Sequence, residues 1–165
     1  MFPLDEMMKQ FEKLNKKFGG NAKLKCVHLD FGSKKFFNSF KRTTVKDRCG
    51  EVAFARERKN GRFVVIRNSV YPEGVYRIPT GGIRFGESVL SALYREIGEE
   101  LGVKVELKRF LGAVKYDISY GGEHLDFYSF VFRMKEISGN IIEDATQNEI
   151  SEFAEADLGF LIKIS

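Results

Sequence analysis

The chain is short of cysteine, of long apolar runs and of a basic amino-terminal block, and each shortage removes a class of protein. Cys26 and Cys49 are its only cysteines. They lack zinc-ligand spacing and a histidine partner pattern, so they read as buried or incidental free thiols, not as a disulfide or metal framework. No apolar run approaches the ~18 residues of a membrane span, so no membrane partner is expected. Asp5 and Glu6 stand where a secretory signal would have a basic start and an apolar block, and the expectation is a cytoplasmic protein. No internal repeat, low-complexity tract or RNA- or DNA-binding motif is present. What remains, 43% hydrophobic and 30% charged residues over 165 positions, suits a globular protein of one domain, or one domain with a small extension.

Charge is unevenly spread. Residues 1–50 carry 12 Lys and Arg against 5 Asp and Glu, net +7, and residues 51–165 carry 15 against 18, net −3, which together give the overall +4. A basic end attracts polyanions. Without a nucleic-acid motif, a solubilising basic surface is the plainer reading.

The chemistry is concentrated in residues 81–103, GGIRFGESVLSALYREIGEELGV. Within residues 88–101, Leu90, Leu93, Ile97 and Leu101 recur at three- and four-residue steps, the pattern of a helix with one buried stripe. Ser88 is placed to cap its start and Gly102 to end it. At ~100° per residue, Glu96, Glu99 and Glu100 share one face beside that stripe. Crowded carboxylates cost a few tenths of a kcal/mol per pair, and Gly98 inside the helix costs ~1 kcal/mol relative to Ala. Selection for helix stability alone does not produce such a face. Oxygen-only ligands suit a hard divalent cation, and Mg2+ takes a few carboxylates plus substrate phosphates, so the face reads as a metal and diphosphate site. Placed before this helix, Pro79-Thr80-Gly81-Gly82 lets backbone approach phosphate.

Gly81, Glu87, Arg95, Glu96, Glu99, Glu100 and Gly102, with aliphatic Ile97 and Val103, stand at the fixed separations of the Nudix box, and the sequence resembles a Nudix hydrolase over roughly residues 50–160. The resemblance implies an α/β fold, a Nudix-type α/β/α sandwich with a mixed β-sheet. It also implies hydrolysis of a nucleoside diphosphate linked to another moiety, by water attack at phosphorus. Glu96, Glu99 and Glu100 would hold Mg2+, with Mn2+ able to substitute. Glu87 would be an outer ligand or the partner of Arg95, whose guanidinium orients and cannot act as a base. Gly81 and Gly82 would shape the substrate loop. Glu100, Glu143 and Glu149 compete for the general base, and Glu149 resembles an extra metal ligand of some members.

Substrate signals are thinner. Tyr120 lies 17 residues past Val103, where dinucleoside polyphosphate hydrolases tend to carry a Tyr, while the Pro associated with ADP-ribose hydrolases is absent. It is also placed as an ordinary hairpin-end aromatic beside Gly121-Gly122. Tyr71, Tyr76 and Phe85 offer rings for stacking a base, and Arg84 with other basic residues makes a rim suited to long anionic substrates. The expectation is therefore dinucleoside polyphosphates or other extended-phosphate nucleotides. ADP-ribose or nucleotide sugars, a cap-removing action on RNA, and a non-catalytic Nudix-fold module are the alternatives.

In chain order, residues 1–48 read as an amino-terminal extension and 49–165 as the Nudix domain. Residues 4–18 predict a helix, with Met7, Phe11, Leu14 and Phe18 along one side. Residues 23–31 and 36–45 predict strands. The resemblance implies that such an extension would build a homodimer or shape the substrate pocket. Further strands are predicted over 51–56 and 63–67 around the turn Lys59-Asn60-Gly61, over 105–120 and 123–135 about Gly121-Gly122, and over 150–154. A polar loop over 138–148 and a short closing helix over 155–164 complete the expectation.

Overall fold

Phe127, Tyr128, Ser129 and Phe130 are buried in succession, so the strand that carries them is covered on both faces, and the architecture follows from how that cover is supplied. A computed structural model of the chain describes residues 4–43, 45–69, 72–101, 104–138, 150–157 and 159. Helix α1 is Leu4–Leu14, continued by a π-helical turn at Asn15–Gly19, and the turn closes where Gly20, at φ 73°, donates its N–H to Asn15 O at 2.8 Å. Then come β1 (Lys23–Asp30), α2 (Lys34–Thr43), β2 (Arg48–Glu57), β3 (Phe63–Asn68), β4 (Thr80–Arg84), α3 (Val89–Leu101), β5 (Lys104–Tyr120), β6 (Glu123–Ser138) and β7 (Ile150–Ala156). The sheet runs β1-β5-β6-β2-β3-β7, with β4 paired to β2 off this path. β1–β5 and β6–β2 are parallel, and the other pairs are antiparallel.

Alternation along β6 divides the core. Tyr128, Phe130, Phe132 and Met134 join the main cluster, where Met7 and Leu14 of α1 and Val89, Ala92, Leu93 and Ile97 of α3 cover one face. Leu125 and Phe127 point the other way, into a second cluster with Ile118 and with Phe37 of α2. Helices thus lie on both faces of a mixed sheet, the α/β sandwich expected. Each buried Phe contributes about 1.5–3 kcal/mol by leaving water, and Phe37, Phe54, Phe110, Phe130 and Phe132 are fully buried. No helix among the described residues is long and apolar enough to cross a membrane.

Two expectations need correction. Residues 36–45, read as a strand, belong mostly to helix α2. Aromatic and β-branched side chains, among them Phe36, Phe37, Phe40 and Val45, favour a strand locally. Packing decides otherwise: at helical spacing Phe37 and Phe40 both reach the second cluster, Phe40 at 5.8 Å from Phe31 and from Phe127, while Phe36 is left 67% exposed. Ser33 O accepts the Phe37 N–H at 3.1 Å and starts the helix. Glu155 and Ala156, read as the start of a closing helix, instead extend β7 opposite Val64 and Phe63. The β2–β3 turn holds Glu155 there through Arg58 Nη1 at 2.5 Å and Asn60 Nδ2 at 3.0 Å. The rest of that predicted helix, apart from Asp157 and Gly159, and nearly all of the polar loop lie outside the described residues.

The two cysteines differ. Cys26 is exposed on β1, whereas burial pushes the Cys49 thiol up to about 11, and its Sγ reaches Ile83 O at 3.6 Å. At pH 8 a maleimide is therefore expected to label one thiol per folded chain, Cys26, with Cys49 reacting only after denaturation. Mass spectrometry of the labelled peptides checks this.

Candidate metal and phosphate site

Ser88 begins α3 as expected, its Oγ accepting the Ser91 N–H at 3.1 Å. The turn before it is tight: Gly86 sits at φ 83°, and Glu87 N–H donates to Arg84 O at 3.1 Å. A residue with a side chain would be strained at that φ. The turn folds β4 back against α3, so Gly81 and Gly82 lie under the helix's acidic face.

Arg95 fastens the two elements. Its Nε and Nη2 each donate to a different Glu87 oxygen at 2.8 Å, and Nη2 also donates to Gly82 O at 2.8 Å. Nη1 reaches Glu96 Oε1 at 2.6 Å and Glu99 Oε2 at 3.3 Å. Glu87 takes the Arg84 N–H as well, at 3.1 Å. The Arg95 hydrogen bonds hold the Glu87 carboxyl below the usual range, and the same contacts raise Arg95 above its own. Both Glu87 oxygens are thus engaged by the clamp. Glu96 is 13% exposed, whereas Glu99 is 54% exposed at the outer edge.

Gly81 makes this closeness attainable. A Cβ there would lie 2.0 Å from Glu96 Cγ and 2.2 Å from its Cδ, an overlap no real contact tolerates. Gly81→Ala is accordingly expected to destabilise the fold by about 1–3 kcal/mol through overpacking, measurable by urea denaturation. It should also displace Glu96 and reduce activity.

The remaining candidates separate. The Glu100 backbone lies in α3, and its side chain is outside the described residues. Tyr71, Gly102, Val103, Glu143 and Glu149 also lie outside them. Tyr76 is tied to β7, its hydroxyl donating to Glu152 Oε1 at 2.7 Å. Tyr120 stands 5.9 Å from the Phe37 ring, in the cluster on the sheet face opposite α3. Neither tyrosine is brought to the acidic helix. Phe85 is exposed at the tip of the turn, next to Arg84. Sequence reasoning missed Arg48, whose guanidinium lies against Gly82. Nothing local marks it, since 34 residues separate the two.

Among the described residues no three His, Cys, Asp or Glu side chains meet so as to hold a metal. Glu96 and Glu99 nonetheless supply an oxygen-only pair on one helix face, and that donor chemistry fits a hard divalent ion.

Comparison with known proteins agrees. The NUDIX domain model matches residues 49–159. The RNA pyrophosphohydrolase of Helicobacter pylori is 41% identical over 69 residues, a match spanning 41% of this chain and 44% of that relative, less than half its length. Among solved structures, a MutT protein from Methanosarcina mazei superposes with a TM-score of 0.52 at 18% identity, covering 72% of this chain and 83% of that one. The dihydroneopterin triphosphate pyrophosphohydrolase of E. coli gives 0.51 at 14%, covering 72% and 87%. At such identities the superpositions speak for the fold. The family model matches well over half the chain, including the whole Arg95 clamp and the acidic face it orients: the chain belongs to the NUDIX domain family.

Proposed function

We propose that this protein hydrolyses a phosphoanhydride bond in a nucleoside diphosphate linked to another moiety, using Mg2+ held by Glu96, Glu99 and Glu100. One observation carries the reading: Arg95 pins two of these carboxylates on one helix face and ties that face to the Gly82 carbonyl, with Glu96 set directly against Gly81. A divalent ion there would neutralise the diphosphate and open its phosphorus to water. Arg95 and Glu87 position and do not react. Phosphoryl transfer asks mainly for placement and charge neutralisation, which a clamped acidic face supplies. Glu100, Glu143 and Glu149 are the candidate bases. Residues 49–165 form the hydrolase unit in this reading, with 1–48 as its extension.

Extended-phosphate nucleotides, including dinucleoside polyphosphates, are the proposed substrates. RNA bearing a 5′-pyrophosphate end is the second reading, favoured by the Helicobacter relative and by the net +7 of residues 1–50. Steep salt dependence on RNA ends, absent on free nucleotides, separates the two. Activity is expected to vanish in excess chelator and return with millimolar Mg2+ or Mn2+. Ca2+ should serve poorly, because its looser coordination misplaces the phosphoryl group. Full turnover in chelator would sink the assignment.

A further inference from the structure

We propose that Arg48 and Arg84 form a seat for the phosphate chain of the substrate, one strand away from the acidic face; the inference rests on the reading of that face given above. The two arginines are directly opposite in the β2–β4 register. Like charges so placed are destabilising unless something anionic lies between or over them. The sheet contains a second such pair, Arg109 opposite Arg133, and there Glu57 takes Arg133 Nε and Nη2 at 3.0 and 2.6 Å. Arg48 and Arg84 have no comparable relief. The carboxylate paired with Arg48 is Asp47, 3.5 Å from Nε and 74% exposed, and Arg84 is attracted through space to Glu87. Glu87, close to Arg84 in sequence, has both oxygens committed to Arg95. Glu51, which faces Gly82 across the β2–β4 pairing, is engaged by the Ser129 hydroxyl.

Gly82 is shaped for this use. A Cβ on it would lie 3.2 Å from Cζ, from Nε and from Nη1 of Arg48 alike. Three atoms of one plane at one distance mean that the guanidinium lies flat over the glycine. Gly82 also gives its carbonyl to Arg95, and Gly81 beside it abuts Glu96. The cationic seat and the acidic face are therefore fixed to two consecutive glycines. A planar fork of donors matches phosphate oxygens, and two forks side by side match a chain of phosphates better than one.

The test is titration calorimetry with inorganic tripolyphosphate and with orthophosphate, free of divalent ions, on the wild type and on Arg48→Met, Arg84→Met and Arg109→Met. Tripolyphosphate is expected to bind the wild type and Arg109→Met alike, roughly tenfold or more weaker to either of the other variants, and to bind all better than orthophosphate. In turnover with a nucleoside triphosphate, Arg48→Met should raise KM more than it lowers kcat. The same comparison on 5′-triphosphorylated RNA shows whether the chain is read on free nucleotides or on RNA ends. Tripolyphosphate binding to Arg48→Met at wild-type strength overturns the seat even if hydrolysis proceeds. Loss of that binding in a protein that hydrolyses no nucleotide would uphold the seat and overturn the proposed function instead.

Discussion

Glu99→Gln and Glu100→Gln are each expected to lower kcat/KM by about 100-fold or more, the cost of losing one major electrostatic contributor at a reaction centre. The substitution keeps size and removes a charged oxygen ligand. Stability should not follow activity down. Glu99 is more than half exposed and makes one long contact, at 3.3 Å to Arg95, and a neutral amide relieves repulsion on the helix by a few tenths of a kcal/mol. The expected pair of results is lost turnover with an unchanged or slightly higher melting temperature. Unchanged turnover with unchanged melting would show that this face holds no metal.

Arg95→Ala should damage both properties at once. Removing the guanidinium strands Glu87 and Glu96, both largely buried and both bonded to it at 2.6 to 2.8 Å, and leaves the Gly82 carbonyl without its partner. Breaking a buried pair from one side costs about 3–5 kcal/mol, and for these partly buried groups roughly 2–4 is expected. Activity should fall by about 100-fold or more as well, because the carboxylates and the glycine pair of β4 lose their common anchor. Arg95→Lys should rescue little, since an ammonium cannot donate in parallel to both Glu87 oxygens while still reaching Glu96 and Gly82. Chemical denaturation and steady-state kinetics on both variants check this. A Lys variant with wild-type stability and rate would mean that charge alone, not the planar fork, holds the joint.

The site was more legible in the sequence than the fold around it. Glu87, Arg95, Glu96 and Glu99 lie within 13 positions of one another, so helical period and a single tight turn bring them together. Interactions between distant segments left no such trace. The parallel pairing of β1 with β5 joins residues nearly 90 positions apart, and with it the contact of His28 to Asp117 at 3.1 Å. Arg56, fully buried against Glu136 at 2.5 Å, reads in sequence as an ordinary strand charge. α2 was misread because Phe36, Phe37 and Phe40 favour a strand locally, and only the surface presented by Ile118 and Phe127 selects the helix. Arg48 escaped for the same reason, since its meaning depends on a glycine in another strand.

Metal-dependent attack of water at phosphorus is read out by phosphorus NMR of the products formed from a nucleoside triphosphate or a dinucleoside polyphosphate in heavy-oxygen water, with Mg2+ and then with excess chelator. With Mg2+, one phosphate product is expected to carry the heavy oxygen. No product is expected in chelator and almost none from Glu99→Gln. Undiminished cleavage in chelator, or products free of solvent oxygen, would contradict metal-dependent attack of water.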